Sequence, residues 1–223
     1  VINFAAETHV DRSIHGPQDF IITNVVGAQT LFDACLRNDV SRVVHIGTDE
    51  VYGSIDVGSW TEDSPLQPNS PYSAAKAAAE MLVRAYHATY GMCISSTRCS
   101  NNYGPYQFPE KVIPAFVTRL LRGEKVPLYG DGQNVRDWLH VDDHCQGIDV
   151  VLNRGEPGAS YNIGGGEELT NRELTAHILN SLQRDWDTCV EYVPDRLGHD
   201  RRYSVNDSRL RALGYSPKHS FAQ

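Results

Sequence analysis

Residues 42–53 read RVVHIGTDEVYG. The apolar run around Val43, Val44 and Ile46 has the character of a buried strand, and it passes straight into Thr48, Asp49 and Glu50. A hydroxyl followed by two carboxyls is a poor way to continue such a strand, because burying an unpartnered carboxylate is costly. Two readings fit the residues. The strand leaves the core at Thr48 and the acids are solvated, or the strand ends at a site that uses them.

Working outward, the segment 1–6 reads as a strand and 17–38 as a helical pattern with Phe20, Val25, Leu31 and Leu36 among its apolar positions. A strand follows at 42–47. A long helix is expected over 70–91, rich in helix formers around Ala74–Ala79 and stopped by Gly91. CISSTRC at 93–99 reads as a third strand. Strand, helix, strand, helix, strand at short intervals predicts an α/β fold with a doubly wound, parallel, Rossmann-like sheet. Ligands bind such sheets beyond the carboxyl ends of the strands. Thr48-Asp49-Glu50 lies at one such end, Glu7-Thr8 and Ser100-Asn101-Asn102 at two others.

After residue 104 the pattern changes. A helix is expected over 113–122, a short strand with a Gly-Asp-Gly turn at 126–133, and a helix from near Asp142 with Asp142 or Asp143 as its N-cap. ASYNIGGG at 159–166 reads as a strand entering a tight glycine turn at a lobe interface. Thr170 and Glu173 form a capping box that opens a helix running to Leu182. A polar stretch follows, then a short helix stopped by Gly214. The expected organisation is a domain over 1–104 and, over 105–223, mainly a smaller mixed α/β lobe with segments returning to the main sheet. The chain begins inside what reads as a strand, with no initiator Met, so an N-terminally truncated piece of a longer chain is expected.

The 223 residues carry a formal net charge of −8, which argues against a general nucleic-acid binder and requires a local cationic cluster for any anionic ligand. Five cysteines at 35, 93, 99, 145 and 189 form no CxxC pair, the usage of reduced thiols in a cytoplasmic protein. No apolar run reaches membrane-spanning length. HVDDH at 140–144 suggests metal ligands at first sight, but helix capping accounts for it and no metal is expected.

PYSAAK places Tyr72 and Lys76 four residues apart, on one face of the predicted helix. An ammonium near a phenol favours the phenolate, which would make Tyr72 a usable general base. Alone this spacing is common on helix surfaces. It gains meaning beside a βαβ framework and a polar strand end.

Together the strings FAAETHVDRSI (4–14), TDEVYGS (48–54), YSAAK (72–76), RCSNNYGPYQFPEK (98–111), PLYGDGQNVRDWLHVDDH (127–144), YNIGGG (161–166) and DRLGHDRRY (195–203) span nearly the whole chain. They resemble, in order, the nucleotide-sugar 4,6-dehydratases of the extended short-chain dehydrogenase/reductase family. The resemblance implies an NAD cofactor, a nucleotide-sugar substrate (dTDP-glucose) and a homodimer packed through the helices near 17–38 and 71–91. It also implies C4 oxidation, C5–C6 water elimination and hydride return to C6. It gives catalytic roles to Thr48, Asp49, Glu50, Tyr72 and Lys76. Cofactor contacts fall on Phe4, Ala5, Ala6, Glu7, Thr8, Thr23, Tyr72, Lys76 and Asn102. Substrate contacts fall on Thr8, Thr48, Asn101, Lys111, Val112, Pro127, Tyr129, Arg136, Asn171, Asp195, Arg196, His199 and Tyr203. The family's opening strand and glycine-rich pyrophosphate loop, and its helical C-terminal end, have no counterpart in these residues. Three alternatives remain at this point: a dehydratase for another nucleotide sugar, a 4-epimerase, and a catalytically inactive fragment.

Overall fold

The structure is a computed structural model and describes residues 1–221. In chain order the elements begin with β1 (Ile2–Asn3), α1 (Val10–His15), α2 (Pro17–Phe20), a run of π-helical turns (Ile21–Gly27) and α3 (Ala28–Arg37). β2 (Val43–Thr48), a 3-10 turn (Asp49–Tyr52), α4 (Pro71–Tyr90), β3 (Ile94–Cys99) and β4 (Asn101–Tyr103) follow. Then come α5 (Val112–Leu121), β5 (Val126–Tyr129), β6 (Val135–His140), α6 (Val141–Arg154), β7 (Ser160–Ile163) and β8 (Glu168–Thr170). The last elements are α7 (Asn171–Ser181), α8 (Trp186–Cys189), β9 (Val190–Val193) and α9 (Ser208–Arg211).

The main sheet runs β1-β2-β3-β7, parallel throughout. β2 is buried at all six positions, as a central strand of such a sheet must be. Its alternate residues feed two layers. Val43 joins Phe32 and Cys35 of α3, Ala79 and Val83 of α4, and Ile94 of β3. Val44 and Ile46 face the other way, against Ile148 and Val151 of α6 with Tyr161 and Ile163 of β7. Helices therefore cover both faces. The register pairs Thr48 with Cys99 and Cys99 with Ile163, so three carboxyl ends finish level. At that edge Gly47 is required: a Cβ there would lie 2.3 Å from the Thr97 carbonyl oxygen.

α4 matches its sequence signals. Ser70 and Ser73 cap its start reciprocally, Pro71 opens its first turn, and Gly91 ends it with a left-handed φ of 67°. The second lobe is built from β5 paired with β9 and from β4-β6-β8. Phe116, Leu120, Leu128, Trp138, Leu174 and Ile178 fill its core. β7 lies in the main sheet although it follows the lobe's first strands in sequence.

Several elements differ from expectation. The strand expected over 1–6 is only Ile2–Asn3, because Asn3 Oδ1 takes the Ala5 N–H at 3.2 Å and Asn24 brackets Glu7 with bonds of 2.8 and 3.0 Å. Side chains thus replace a ladder for residues 5–7. The helix expected over 17–38 widens into π-helical turns at Ile21–Gly27. α6 starts under a His140 cap, whose Nδ1 accepts the Asp142 N–H at 3.3 Å, and not under Asp142 or Asp143. Asp143 instead receives the Lys218 and His219 N–H groups at 3.0 and 2.9 Å. The stretch expected to be polar after α7 contains β9, which gains its partner only in three dimensions.

Candidate active site

A cavity of about 560 Å³ opens beyond the carboxyl ends of β2 and β3 and extends between the main sheet and the second lobe. The sheet contributes Thr48, Asp49 and Glu50; α4 contributes Tyr72; the crossing into the lobe contributes Asn101 and Asn102. The lobe side is lined by Lys111, Val112, Pro127, Tyr129, Arg136 and Asn171. Arg196, His199 and Tyr203 complete that wall, and Thr8 stands at the margin. These sequence-expected residues come from nine separate stretches of chain and face one space.

The two acids are carried by the 3-10 turn immediately after β2, capped by Thr48, whose hydroxyl accepts the Glu50 N–H at 3.3 Å. Asp49 is 2% exposed, and its Oδ2 is buried without a hydrogen-bond partner. Burial, then the charges of Glu50 and Asp137, push its carboxyl well above the usual range. Glu50 is also pushed upward by burial, but it retains some exposure to the cavity and Arg196 and Arg136 oppose the shift. Arg136 opposes the shift at both acids, but Arg196 acts on Glu50 and Asp137 adds to Asp49, so the stronger push toward the protonated form falls on Asp49.

Tyr72 and Lys76 share a face of α4 as expected, but the electrostatics differ from the expectation. The Lys76 ammonium donates to the Ile46 carbonyl at 2.5 Å, and burial pushes its pKa down to about 8. The Tyr72 hydroxyl is held well above its ordinary range by burial and then by Glu50; a Thr48 hydrogen bond opposes this. Burial is the largest influence on the phenol, and the nearby carboxyls add to it.

Arg136 is 6% exposed and held rigidly. It donates to the Val135 carbonyl at 2.7 Å and the Asp200 carbonyl at 3.0 Å, and lies 4.3 Å over the Tyr203 ring. Tyr203 in turn donates to Asp200 Oδ2 at 2.7 Å. Lys111 donates to both the Thr8 carbonyl and hydroxyl at 3.1 Å, and Arg196 Nη1 stands 3.7 Å from Asp11. This is the local cationic cluster that an acidic chain needs for a diphosphate.

The remaining expected residues lie outside the cavity. Phe4, Ala5, Ala6 and Glu7 run from the end of β1, with Phe4 and Ala5 exposed. Thr23 sits on the π-helical turns. Asp195 does not line the cavity; it holds His199 through a 2.5 Å contact to Nδ1. Asn102 fits a cofactor-facing position, since its Oδ1 is a buried acceptor without a partner, and Lys76 has donors beyond its one bond. The residues present accordingly fit their share of an NAD site.

Sequence reading missed some lining groups. Asp11, paired with Arg196, and Gln107, whose Oε1 is buried without a hydrogen-bond partner, reach the cavity, and so does Trp138, whose indole N–H is buried without a partner. Asp11 and Gln107 lie inside quoted strings, but nothing local to them signals a cavity-facing side chain. The triple glycine has a defined role. A Cβ at Gly165 would lie 1.7 Å from the Trp138 carbonyl oxygen, and its N–H, with that of Glu167, donates to Asp137 at 3.0 Å. His140, Asp142 and His219 each bring one potential ligand atom within 4.8 Å of the others, and none of them lines the cavity.

The chain is similar to known proteins along its whole length. The family model for GDP-mannose 4,6 dehydratase matches residues 1–223. A dTDP-glucose 4,6-dehydratase of Streptomyces antibioticus is 58% identical over 224 residues, covering 100% of this chain and 67% of the relative. One from Streptomyces griseus is 57% identical over 218 residues, covering 97% and 66%. The chain spans about two thirds of the length of these curated relatives. Among solved structures, DesIV, the dTDP-glucose 4,6-dehydratase of Streptomyces venezuelae with NAD and TYD bound, has a TM-score of 0.97 at 60% identity, covering 99% of this chain and 69% of that one. The UDP-glucose 4-epimerase of Thermus thermophilus in complex with NAD has a TM-score of 0.93 at 32% identity, covering 99% and 73%. The chain belongs to the family that the GDP-mannose 4,6 dehydratase model describes, and its relatives at 57–58% identity place it with the dTDP-glucose 4,6-dehydratases.

Proposed function

We propose that the protein dehydrates dTDP-glucose to dTDP-4-keto-6-deoxyglucose with NAD as a recycled cofactor. The observation that carries this reading is the pair of neighbouring acids in one cavity, both raised by burial, with Asp49 pushed well above its usual range and Glu50 opposed by Arg196 and Arg136. Relatives at 57–58% identity bear that activity in their names.

Bound NAD supplies the hydride acceptor for C4 and the donor for C6. Tyr72 removes the proton of the sugar 4-hydroxyl, with Thr48 hydrogen-bonding the same oxygen and Lys76 assisting Tyr72. The resulting 4-ketone acidifies the C5 proton, and Glu50 takes it. Asp49 gives its proton to the departing C6 hydroxyl, which leaves as water. The proton held by Glu50 is then returned to C5. Acid and base act on adjacent carbons, so adjacent residues on one turn suit the geometry.

Phe4–Thr8, Thr23, Tyr72, Lys76 and Asn102 are the chain's cofactor side. Asn101, Lys111, Val112, Pro127, Tyr129, Arg136, Asn171, Arg196, His199 and Tyr203 hold the nucleotide sugar, with Asp195 orienting His199. Exposed apolar Ile21, Ile22 and Val26 on the π-helical turns, with Met81 and Tyr90 on α4, support a homodimer through these helices. None of the described helices is long and apolar enough to cross a membrane, and all five cysteines are free thiols, which suits a cytoplasmic protein.

The test is Asp49→Ala with Glu50→Ala in the full-length protein, given NAD⁺ and dTDP-glucose. The double variant is expected to form NADH and stop before water loss. A 4-epimerase needs no such acids, so unimpaired turnover to a 4-epimer would replace this reading.

A further inference from the structure

The Tyr72–Lys76 face of α4 continues one turn further to Glu80, which is 3% exposed. Glu80 grips Arg98 of β3. Arg98 Nε donates to Oε1 at 2.9 Å and to Oε2 at 3.0 Å, and Nη2 donates to Oε1 as well. Ser160 adds a hydroxyl to Glu80 at 2.8 Å. The other arm of Arg98, Nη1, donates to the Glu62 carbonyl at 3.1 Å and to the Tyr52 hydroxyl. Tyr52 passes its own proton to Asn162 Oδ1 at 2.8 Å, and its ring stacks on Trp60 at 6.0 Å. Burial raises the phenol to about 12, so it serves here as a neutral hydrogen-bonding group.

Tyr52 is the last residue of the 3-10 turn that carries Asp49 and Glu50. The two ends of that turn are anchored differently. Thr48 is fixed by the sheet register, paired with Cys99. Beyond it the turn has left the sheet, and among its backbone bonds are Gly53 N–H to Glu50 at 3.3 Å and Gln67 N–H to Val51 at 2.9 Å. Val51 and Tyr52 are both fully buried, and the Tyr52 hydroxyl is the side-chain group of the turn that joins the relay. In a site this dry the forked Arg98–Glu80 pair is directional and rigid.

We infer that Glu80, Arg98 and Tyr52 are positioning residues that fix the acid-bearing turn against the helix bearing Tyr72 and Lys76. The inference rests on the dehydration reading. It separates the two halves of the reaction. Oxidation uses Thr48, Tyr72 and Lys76, which the sheet and α4 hold in place; Glu80 bears on Lys76 through its charge, so the relay is tested at Tyr52 and Arg98. Elimination uses Asp49 and Glu50, whose placement depends on it.

The experiment uses the full-length protein with NAD⁺ and dTDP-glucose. Tyr52→Phe keeps the ring on Trp60 and removes only the hydroxyl. NADH formation in the first turnover reads oxidation, solvent deuterium at C5 reads Glu50, and the 4-keto-6-deoxy product reads water loss. Tyr52→Phe is expected to leave KM and NADH formation within about threefold and slow water loss by roughly 10–100-fold, the scale of a misplacement near 1 Å. Arg98→Lys, which keeps the charge but loses the fork, should fall on the same side: elimination impaired more than oxidation. Equal loss of both halves would reveal a structural role alone, and unchanged elimination in Tyr52→Phe would also overturn the inference. If the wild-type protein makes no 4-keto-6-deoxy sugar, the dehydration reading itself fails and takes the inference with it.

Discussion

Asp49→Asn and Glu50→Gln, taken as a pair, test the division of labour in the cavity. Asn is nearly isosteric with Asp, so the Thr48 contact to Oδ1, 3.4 Å in the native chain, has room to persist. What is lost is the proton at Oδ2, the buried oxygen without a partner. A positioned general acid or base contributes about 10²–10⁴-fold, or roughly 2.7–5.4 kcal/mol at 1.36 kcal/mol per tenfold. Each variant should therefore lose product formation on that scale while still forming NADH, because Thr48, Tyr72 and Lys76 are untouched. The two should then part. Asp49→Asn leaves Glu50 able to take the C5 proton, so deuterium from the solvent enters C5 without water loss. Glu50→Gln blocks that exchange at its source. Stopped-flow absorbance follows NADH, and NMR follows deuterium at C5. Exchange lost in Asp49→Asn but kept in Glu50→Gln would refute the assignment of roles. Water loss within threefold of wild type in either would refute the need for the acids.

Further expectations come from burial, steric contact and exposure. Asp49 has a folded-state pKa above its unfolded value, so its contribution to stability is fully present below the unfolded value and is lost as pH rises toward the folded one. Asp49→Asn should accordingly raise Tm at neutral pH, with the gap closing as pH falls; a gap that widens in acid would contradict the assigned shift. In Gly165→Ala the new methyl meets the Trp138 carbonyl oxygen at 1.7 Å, so the turn must move and Asp137 loses the Gly165 and Glu167 donors. At about 1–3 kcal/mol for each stranded partner, urea unfolding should show a loss of roughly 2–6 kcal/mol, and a change under 0.5 kcal/mol (~0 on this scale) would show that the turn yields freely. Ile22→Asp places a charge on the exposed apolar stripe of the π-helical turns. If the proposed homodimer forms through this stripe, sedimentation should report dimers for the wild type and monomers for the variant, and a dimer unchanged by the substitution would move the interface elsewhere.

Much of the fold was legible because its signals are local. The apolar run of β2, the reciprocal caps of α4 and α7, and Gly91 at the end of α4 all act within a few residues. Tyr72 and Lys76 were legible for the same reason, four residues apart on one helix. What escaped was decided by distant partners. The first strand was overread because Asn3 and Asn24 supply side-chain bonds where a ladder was expected. β9 was missed because its ladder partner lies more than sixty residues away in sequence.

The site divides along the same line. The acids at the strand end stood out in the sequence, but the difference between them does not come from the pair itself. Burial raises both first; the difference comes from Asp137 in β6, which adds to Asp49, and from Arg196 in the loop after β9, which opposes the shift at Glu50. The expected lowering of Tyr72 considered one neighbour and left out burial, which the structure makes the larger effect. Glu80 and Arg98 carried no sequence signal, since a charged residue in a strand or helix reads as a surface group until its partner is known.

The most direct test is the product itself. Full-length protein with NAD⁺ and dTDP-glucose should yield, by NMR, a 4-keto-6-deoxy sugar bearing hydride transferred from C4 at C6. A 4-epimer, or unchanged glucose from a protein that binds NAD, would contradict the role given to Asp49 and Glu50.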